Sequence, residues 1–251
     1  MQDLMKPIKI QSTKEVCIKR FEDLILSGKL TIGQKLPSER ELALMLGIGR
    51  PVIHESLVDL ASKGLVKIIP RVGTVVNDYR KEGSINLLNS LAGYQSGNLT
   101  PRLLHDLLKI RTHLESEIAK LAALNRTEDQ LAHLYELIKL EEETDINDID
   151  KMVENDFNFH HQLSMATDNM IYPLLVNSFK QLFTNLLYLY FSHQKDNVKV
   201  LNLHKKLVNA IEKRNEKKSL NAMKLMLDHG EEQMKLIESF LIKKGDFYHV
   251  E

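Results

Sequence analysis

Apolar residues recur at three- and four-residue spacing along most of the chain, and the places where that spacing changes divide it. Over residues 13–28, Val16, Ile18, Phe21, Leu24 and Ile25 predict one amphipathic helix with these side chains inward, ended by Gly28. Gly33 marks a turn. Ser38, followed three positions on by Glu41, is a capping-box signature for a helix from Glu39 that carries Leu42, Ala43 and Leu46 inward and stops at Gly47. The turn Gly47-Ile48-Gly49 leads to a second helix over 50–63, with Val52, Ile53, Leu57 and Leu60 at helical spacing and Gly64 as its stop. The pattern then changes: LVKIIPRVGTVVND predicts two short strands, 66–69 and 74–76, joined through Pro70-Arg71-Val72-Gly73. Helix, helix–tight turn–helix and hairpin, in that order, describe a winged helix-turn-helix.

Residues 81–99 are expected to form a linker holding one short helix over 85–91. Thr100 is an expected N-cap before Pro101, and helical spacing then predicts six helices over 101–125, 127–143, 148–167, 170–193, 197–214 and 217–243. Between Gly97 and Gly230 only Pro101 and Pro173 interrupt the backbone, too few for turns and hairpins. The expected fold is mainly α: an N-terminal winged helix-turn-helix with a small β-hairpin wing over 1–80, and an antiparallel helical bundle over 100–251.

Composition narrows the class. Of the 251 residues 43% are hydrophobic, which excludes global disorder, and a single cysteine, Cys17, excludes an internal disulfide framework. No apolar run approaches the length of a membrane span and the first residues lack a signal-peptide core, so the expected location is the cytoplasm, with no membrane partner. The formal net charge of +0 hides an asymmetry: residues 1–80 hold 13 Lys and Arg against 9 Asp and Glu, or +4, and the rest holds 21 against 25, or −4. A charge of +4 is too small to establish nucleic-acid binding, so placed arginines must carry that expectation.

They are well placed. A helix-turn-helix lays its second helix in the major groove, where N-terminal side chains reach base edges. Arg50 starts that helix, with Pro51 and His54 on the same face, and an arginine fork matches guanine O6 and N7. Arg40 on the preceding helix is placed for phosphate or a base at the groove edge, and Arg71 and Gly73 sit at the wing tip. The helix starts at Ser38 and Arg50 would turn backbone N–H groups to phosphates. Taken singly, Arg40 and Arg50 could equally be solvated surface arginines.

The ordered string is more specific. Gly33, Leu36-Pro37-Ser38-Glu39-Arg40, Arg50, Leu57, Gly64-Leu65-Val66 and Gly73-Thr74 resemble the DNA-binding domain of the GntR family of bacterial transcription regulators. The resemblance implies that operator DNA meets Ser38, Arg40, Gly49, Arg50, Pro51, His54, Arg71, Gly73 and Thr74, and that the protein works as a homodimer on double-stranded operator DNA. Two positions depart from the family, which usually has Ser or Thr where this chain has Gly49 and Arg where it has His54.

In the second half, nine of ten histidines follow residue 100. Asp156 and His160 lie four apart on a face otherwise lined by Ile149, Val153 and Leu163; His204 sits in the stripe with Leu207, Val208 and Ile211, and His229 in the stripe with Ala222, Leu225 and Met226. Each is a polar group on an apolar face, costly to bury without a partner. Three imidazoles and a carboxylate suit Zn²⁺, Ni²⁺ or Mn²⁺, and equally each histidine could be a hydrogen-bonded core residue.

This half resembles the effector domain of the FadR-like subfamily, which implies metal binding at Asp156, His160, His204 and His229 and an effector-binding arginine at Arg111, in Arg111-Thr-His-Leu-Glu115. The stretches from Asn77 and from Asn169 are similar instead to the acyl-CoA-responsive, metal-independent branch. The implied effector is therefore an organic acid or a fatty acyl-CoA. A second class, a metal-dependent hydrolase built on the four ligands, remains open, although the chain has no HExxH and no evident general base beside them.

Overall fold

The computed structural model describes residues 11–94, 101–193 and 197–244. The chain forms two compact units that divide after Ser96.

The first unit opens with α1 (Thr13–Leu26), closed at its start by a capping box in which Ser12 and Glu15 satisfy each other's backbone N–H. Next come α2 (Glu39–Leu46) and α3 (Arg50–Ser62), then β1 (Val66–Ile69) and β2 (Gly73–Val76), paired antiparallel with Val66 opposite Val76. Gly47 makes the tight turn possible: it ends α2 in the left-handed region, φ 65°, where a side chain is strained. Residues around Lys35 add to the free edge of β2, with Leu36 N donating to Thr74 O at 2.8 Å. Phe21, Ile25, Leu36, Leu42, Ile53, Leu57, Leu60, Leu65 and Val76 form one core.

Three expectations change in this unit. Val16 is half exposed, because the buried stripe of α1 runs through Cys17, Ile18, Phe21 and Ile25 one position further round. The segment after the wing begins with an unexpected short helix, α4 (Tyr79–Glu82), capped by Asp78. The expected linker is also built into the head: α5 (Leu87–Gly93) puts Leu87 into the core, and Ser90 donates to Glu22, which also accepts from Lys63 at 2.8 Å. Backbone approach explains Gly64 here, since a Cβ would lie 2.0 Å from Glu82 O.

The second unit is all helical in its described residues: α6 (Pro101–Asn125), α7 (Glu128–Glu143), α8 (Ile149–Met165), α9 (Ile171–Ser178), α10 (Lys180–His193), α11 (Asn197–Glu212) and α12 (Glu216–Lys244). Helix α12 packs along α6 and α11, and α8 packs between α7 and α10. Ile118, Leu134, Leu163, Leu207, Ile211 and Met223 fill the centre. The expected N-cap Thr100 lies outside the described residues.

The expected helix over 170–193 is two helices. Ser178 turns its hydroxyl back to Leu174 O at 2.8 Å, a bond that bends a helix, and the next residue, Phe179, caps α9. The Phe179 ring stacks on Phe183 at 5.4 Å, which stabilises the bend. Pro173 is harmless in the first turn of α9, where an N–H has no intrahelical acceptor.

Candidate nucleic-acid interface and buried charged cavity

At the start of α2 the Ser38 hydroxyl and the Glu41 carboxylate close the cap, the carboxylate accepting from Ser38 N at 2.8 Å. Glu39, the first residue of the helix, then faces α3 with a free carboxylate. Its Oε2 accepts from Arg50 Nε at 3.1 Å and its Oε1 from His54 Nδ1 at 2.7 Å. The His54 bond, against some desolvation and helped by Arg50, holds the Glu39 carboxyl below its usual range. Arg50 and His54 remain open to solvent, their side chains 71% and 59% exposed.

Ser38, Arg40, Gly49 and Pro51 are also exposed, as are Arg71 and Gly73 on the wing. Arg71 sits at φ 64°, a tight-turn conformation that places it at the tip between the strands. Thr74 differs from the other eight expected contacts. It is buried in β2 and serves the sheet through its carbonyl, so its side chain is withdrawn from that surface. Gly49 caps α3 without a side-chain bond. Sequence reasoning missed Glu39 as the partner of Arg50 and His54; the capping box marks it as the first residue of α2, but only the packing of α2 on α3 brings it to them.

The cluster in the second unit uses similar groups under burial. Arg111 and Glu115 are one turn apart on α6, with Arg111 Nε 2.6 Å from Glu115 Oε1. From α8, His160 puts Nδ1 2.5 Å from Glu115 Oε2 and Nε2 3.3 Å from Arg111 Nη2. Asp156, one turn earlier, has Oδ1 3.8 Å from His160 Nε2 and 4.0 Å from Arg111, and Oδ2 3.9 Å from His204 Nε2. On its other side His204 donates Nδ1–H to Glu141 of α7 at 2.7 Å, and its ring stacks on Phe159 at 4.0 Å.

The electrostatics follow from the contacts. Burial alone would raise the Glu115 pKa, yet Arg111 and His160 hold it down at about 2. Burial alone would also discharge His204, but Glu141 and then Asp156 outweigh it and raise its pKa. Arg111 is held in its charged form by Glu115 and Asp156 in spite of its burial.

Asp156, His160 and His204 have ligand atoms all within 4.8 Å of one another, and all three are buried. His204 spends Nδ1 on Glu141, which fixes its tautomer, while His160 brings Nδ1 to 2.5 Å from Glu115 Oε2, and both rings bring Nε2 to within 4 Å of Asp156. His204 Nε2 and Asp156 Oδ1 are buried without a hydrogen bond, so the donor set fits a divalent cation. A cation there must draw Arg111 away from the His160 lone pair. His229 falls outside this compact group, with Nε2 3.4 Å from the Tyr190 hydroxyl, but lines the same cavity.

That cavity holds about 60 Å³, and Arg111, Asp156, His160, His204 and His229 are among the residues that line it. Its apolar wall comes from Leu186, Leu187, Val200, Met226, Leu227 and Met234. Glu141 was legible as a candidate: it continues the buried stripe Leu134, Ile138 of α7, a carboxylate on an apolar face.

A winged helix-turn-helix head with an exposed arginine on its second helix, carried with an all-helical unit around a charged cavity, defines an effector-linked DNA-binding regulator. The bacterial regulatory protein gntR family matches residues 13–76, and the FadR C-terminal domain matches residues 77–241. The chain belongs to the GntR family, with a FadR-type C-terminal domain; it is a transcription regulator and not an enzyme, and the hydrolase alternative finds no support. It is 30% identical over 200 residues to the fatty acid metabolism regulator protein of Proteus mirabilis, covering 80% of this chain and 81% of that one. The namesake of Shewanella oneidensis is also 30% identical, over 73% of this chain and 74% of its own. The fold is shared with Lar of Listeria monocytogenes, at 17% identity and a TM-score of 0.59 over 90% of this chain and 98% of that one. It is shared too with a GntR family member of Pseudomonas syringae pv. tomato, at 21% identity and a TM-score of 0.50 over 93% and 88%. No helix among the described residues is long and apolar enough to cross a membrane.

Proposed function

We propose that the protein is a cytoplasmic homodimer that lays two copies of α3 in successive major grooves of a palindromic operator, and that an acyl effector in the helical unit controls its affinity. The effector is a carboxylic acid or its coenzyme A thioester. The observation that carries this reading is the buried Arg111 guanidinium at the edge of an apolar-walled cavity, a fork for an anionic or carbonyl oxygen beside a wall for an acyl chain. The name of the Proteus and Shewanella relatives, fatty acid metabolism regulator, supports the acyl class.

The cavity holds about 60 Å³, room for a few waters or a carboxylate. A long chain seated there would push the helices around it apart, and that is the structural change that would reach operator affinity. Arg50, Arg40, His54 and the wing residues Arg71 and Gly73 meet the DNA. A divalent metal (Zn²⁺, Ni²⁺ or Mn²⁺) would be held by Asp156, His160 and His204, with His229 at the cavity wall as the fourth ligand. When bound it would supply a Lewis-acid anchor for the effector's oxygen. Arg111 would then release His160 and turn to the effector.

Thermal melts of the whole protein with octanoate and with oleoyl-CoA test the effector class, and gel shifts with its own upstream DNA at two salt concentrations test the operator reading. The expected outcome is a ligand-dependent rise in melting temperature that disappears in Arg111→Met, and DNA binding that weakens steeply with salt. A rise that survives in Arg111→Met would remove Arg111 from the effector site. Elemental analysis of wild type beside His204→Ala tests the metal; equal metal content would remove His204 from the ligands.

A further inference from the structure

We propose that His54 reads its base as a hydrogen-bond acceptor, so that one operator position on the strand it faces must offer an exocyclic amine, cytosine N4 or adenine N6, in place of guanine. The proposal rests on the reading of α3 as the recognition helix. His54 lies one turn beyond Arg50 on α3 and is exposed. Its Nδ1 is 2.7 Å from Glu39 Oε1. An ionised carboxylate only accepts, so Nδ1 carries the hydrogen, and in the neutral ring Nε2 is then left with the lone pair. Nε2 is the nitrogen turned away from Glu39 and available to a partner.

The same carboxylate holds Arg50 through Nε at 3.1 Å. The two terminal nitrogens of Arg50 remain for guanine O6 and N7. Glu39 thus holds two neighbouring side chains from behind and gives them opposite chemistry, a donor fork from Arg50 and an acceptor from His54. In the major groove guanine presents only acceptors on its own strand, whereas cytosine and adenine present an amine. An arginine at position 54 would have donors alone and would choose guanine. An exposed pair of this kind adds little to fold stability, so its consequence is orientation.

Selection of binding sites from a random duplex library at pH 8, with the full chain, tests this. Wild type is expected to select cytosine or adenine at one position of each half-site and to discriminate against guanine there by roughly 3- to 10-fold, the worth of one hydrogen bond. His54→Arg is expected to convert that single position to guanine and leave the others unchanged; His54 is exposed, so folding is preserved. Glu39→Ala frees the tautomer and is expected to abolish discrimination at that position, while the Arg50 guanine stays, because arginine donates in every state. The same selected sequence for wild type and His54→Arg, or guanine chosen there by wild type, overturns the proposal. Failure of the recognition-helix reading looks different: Arg50→Ala would then keep wild-type affinity and sequence preference.

Discussion

The two charged clusters are built from the same side chains and obey opposite rules. On the head, Glu39 joins Arg50 and His54 at the surface, with the arginine side chain 71% exposed. In the bundle, Glu115 and Asp156 join Arg111, His160 and His204, with Arg111 only 12% exposed and Glu115 3%. Water already solvates the first set, so its pairs add little to stability and its unused donors stay available to a partner. The second set has lost that water and must balance its charges internally; removing one member strands the others. An exposed cluster can therefore be rewritten for specificity, whereas a buried one answers mainly to what enters its cavity.

The contrast can be broken most forcefully at Arg111. Arg111→Ala leaves two carboxylates buried without their cation and is expected to cost about 3–5 kcal/mol of unfolding free energy by urea titration. A loss under about 1 kcal/mol would show that the cluster does not depend on internal charge balance. Arg50→Ala is the opposite case. It should weaken operator binding by about 1–3 kcal/mol, roughly 5- to 150-fold, with the melting temperature unchanged. A clear fall in melting temperature would place Arg50 in the fold and not in recognition.

Lys63 lies between these extremes, partly buried against Glu22 and Asp59. Burial lowers its pKa, but the Glu22 and Asp59 bonds more than reverse this, so the folded value is raised. Its contribution is therefore complete below the ordinary lysine value of about 10.4 and lost as pH rises through the folded value. Lys63→Met should cost about 1 kcal/mol at neutral pH and flatten the alkaline loss of stability; an unchanged alkaline limb would refute the pair's role. The smallest effect belongs to Arg80, which forks onto Asp78 while its own side chain stays 70% exposed. Arg80→Ala should leave the melting temperature where it is, and a shift of several degrees would contradict the rule drawn from the head.

Much of this architecture is legible in the chain because its causes are local. Ser38 and Glu41 close their cap within one turn, Gly47 supplies the left-handed residue, and the apolar stripe of α8 marks Asp156 and His160 as inward. Errors arose where neighbours decided. Val16 fits an apolar stripe as well as Cys17 does, and only packing against α3 selects the stripe that contains Cys17. The break at Phe179 depends on a hydroxyl back-bond and a ring stack that helical periodicity does not register. Ser90 and Glu22 are 68 residues apart, so the docking of α5 on the head could not be read from a segment that looked like a linker.

By itself the sequence determined both strands and most of the helices, the order that makes a winged head, and the polar residues forced inward. Periodicity, caps and turn residues act within a few positions, so those features need no partner. Only the tertiary structure decided which carboxylate meets which imidazole: Glu39 with His54, Glu115 with His160, Glu141 with His204. Those pairings join separate helices, and they set tautomer and charge. A hydrogen bond forms only at a separation of about 3 Å, and no spacing along a chain encodes that distance between separate helices.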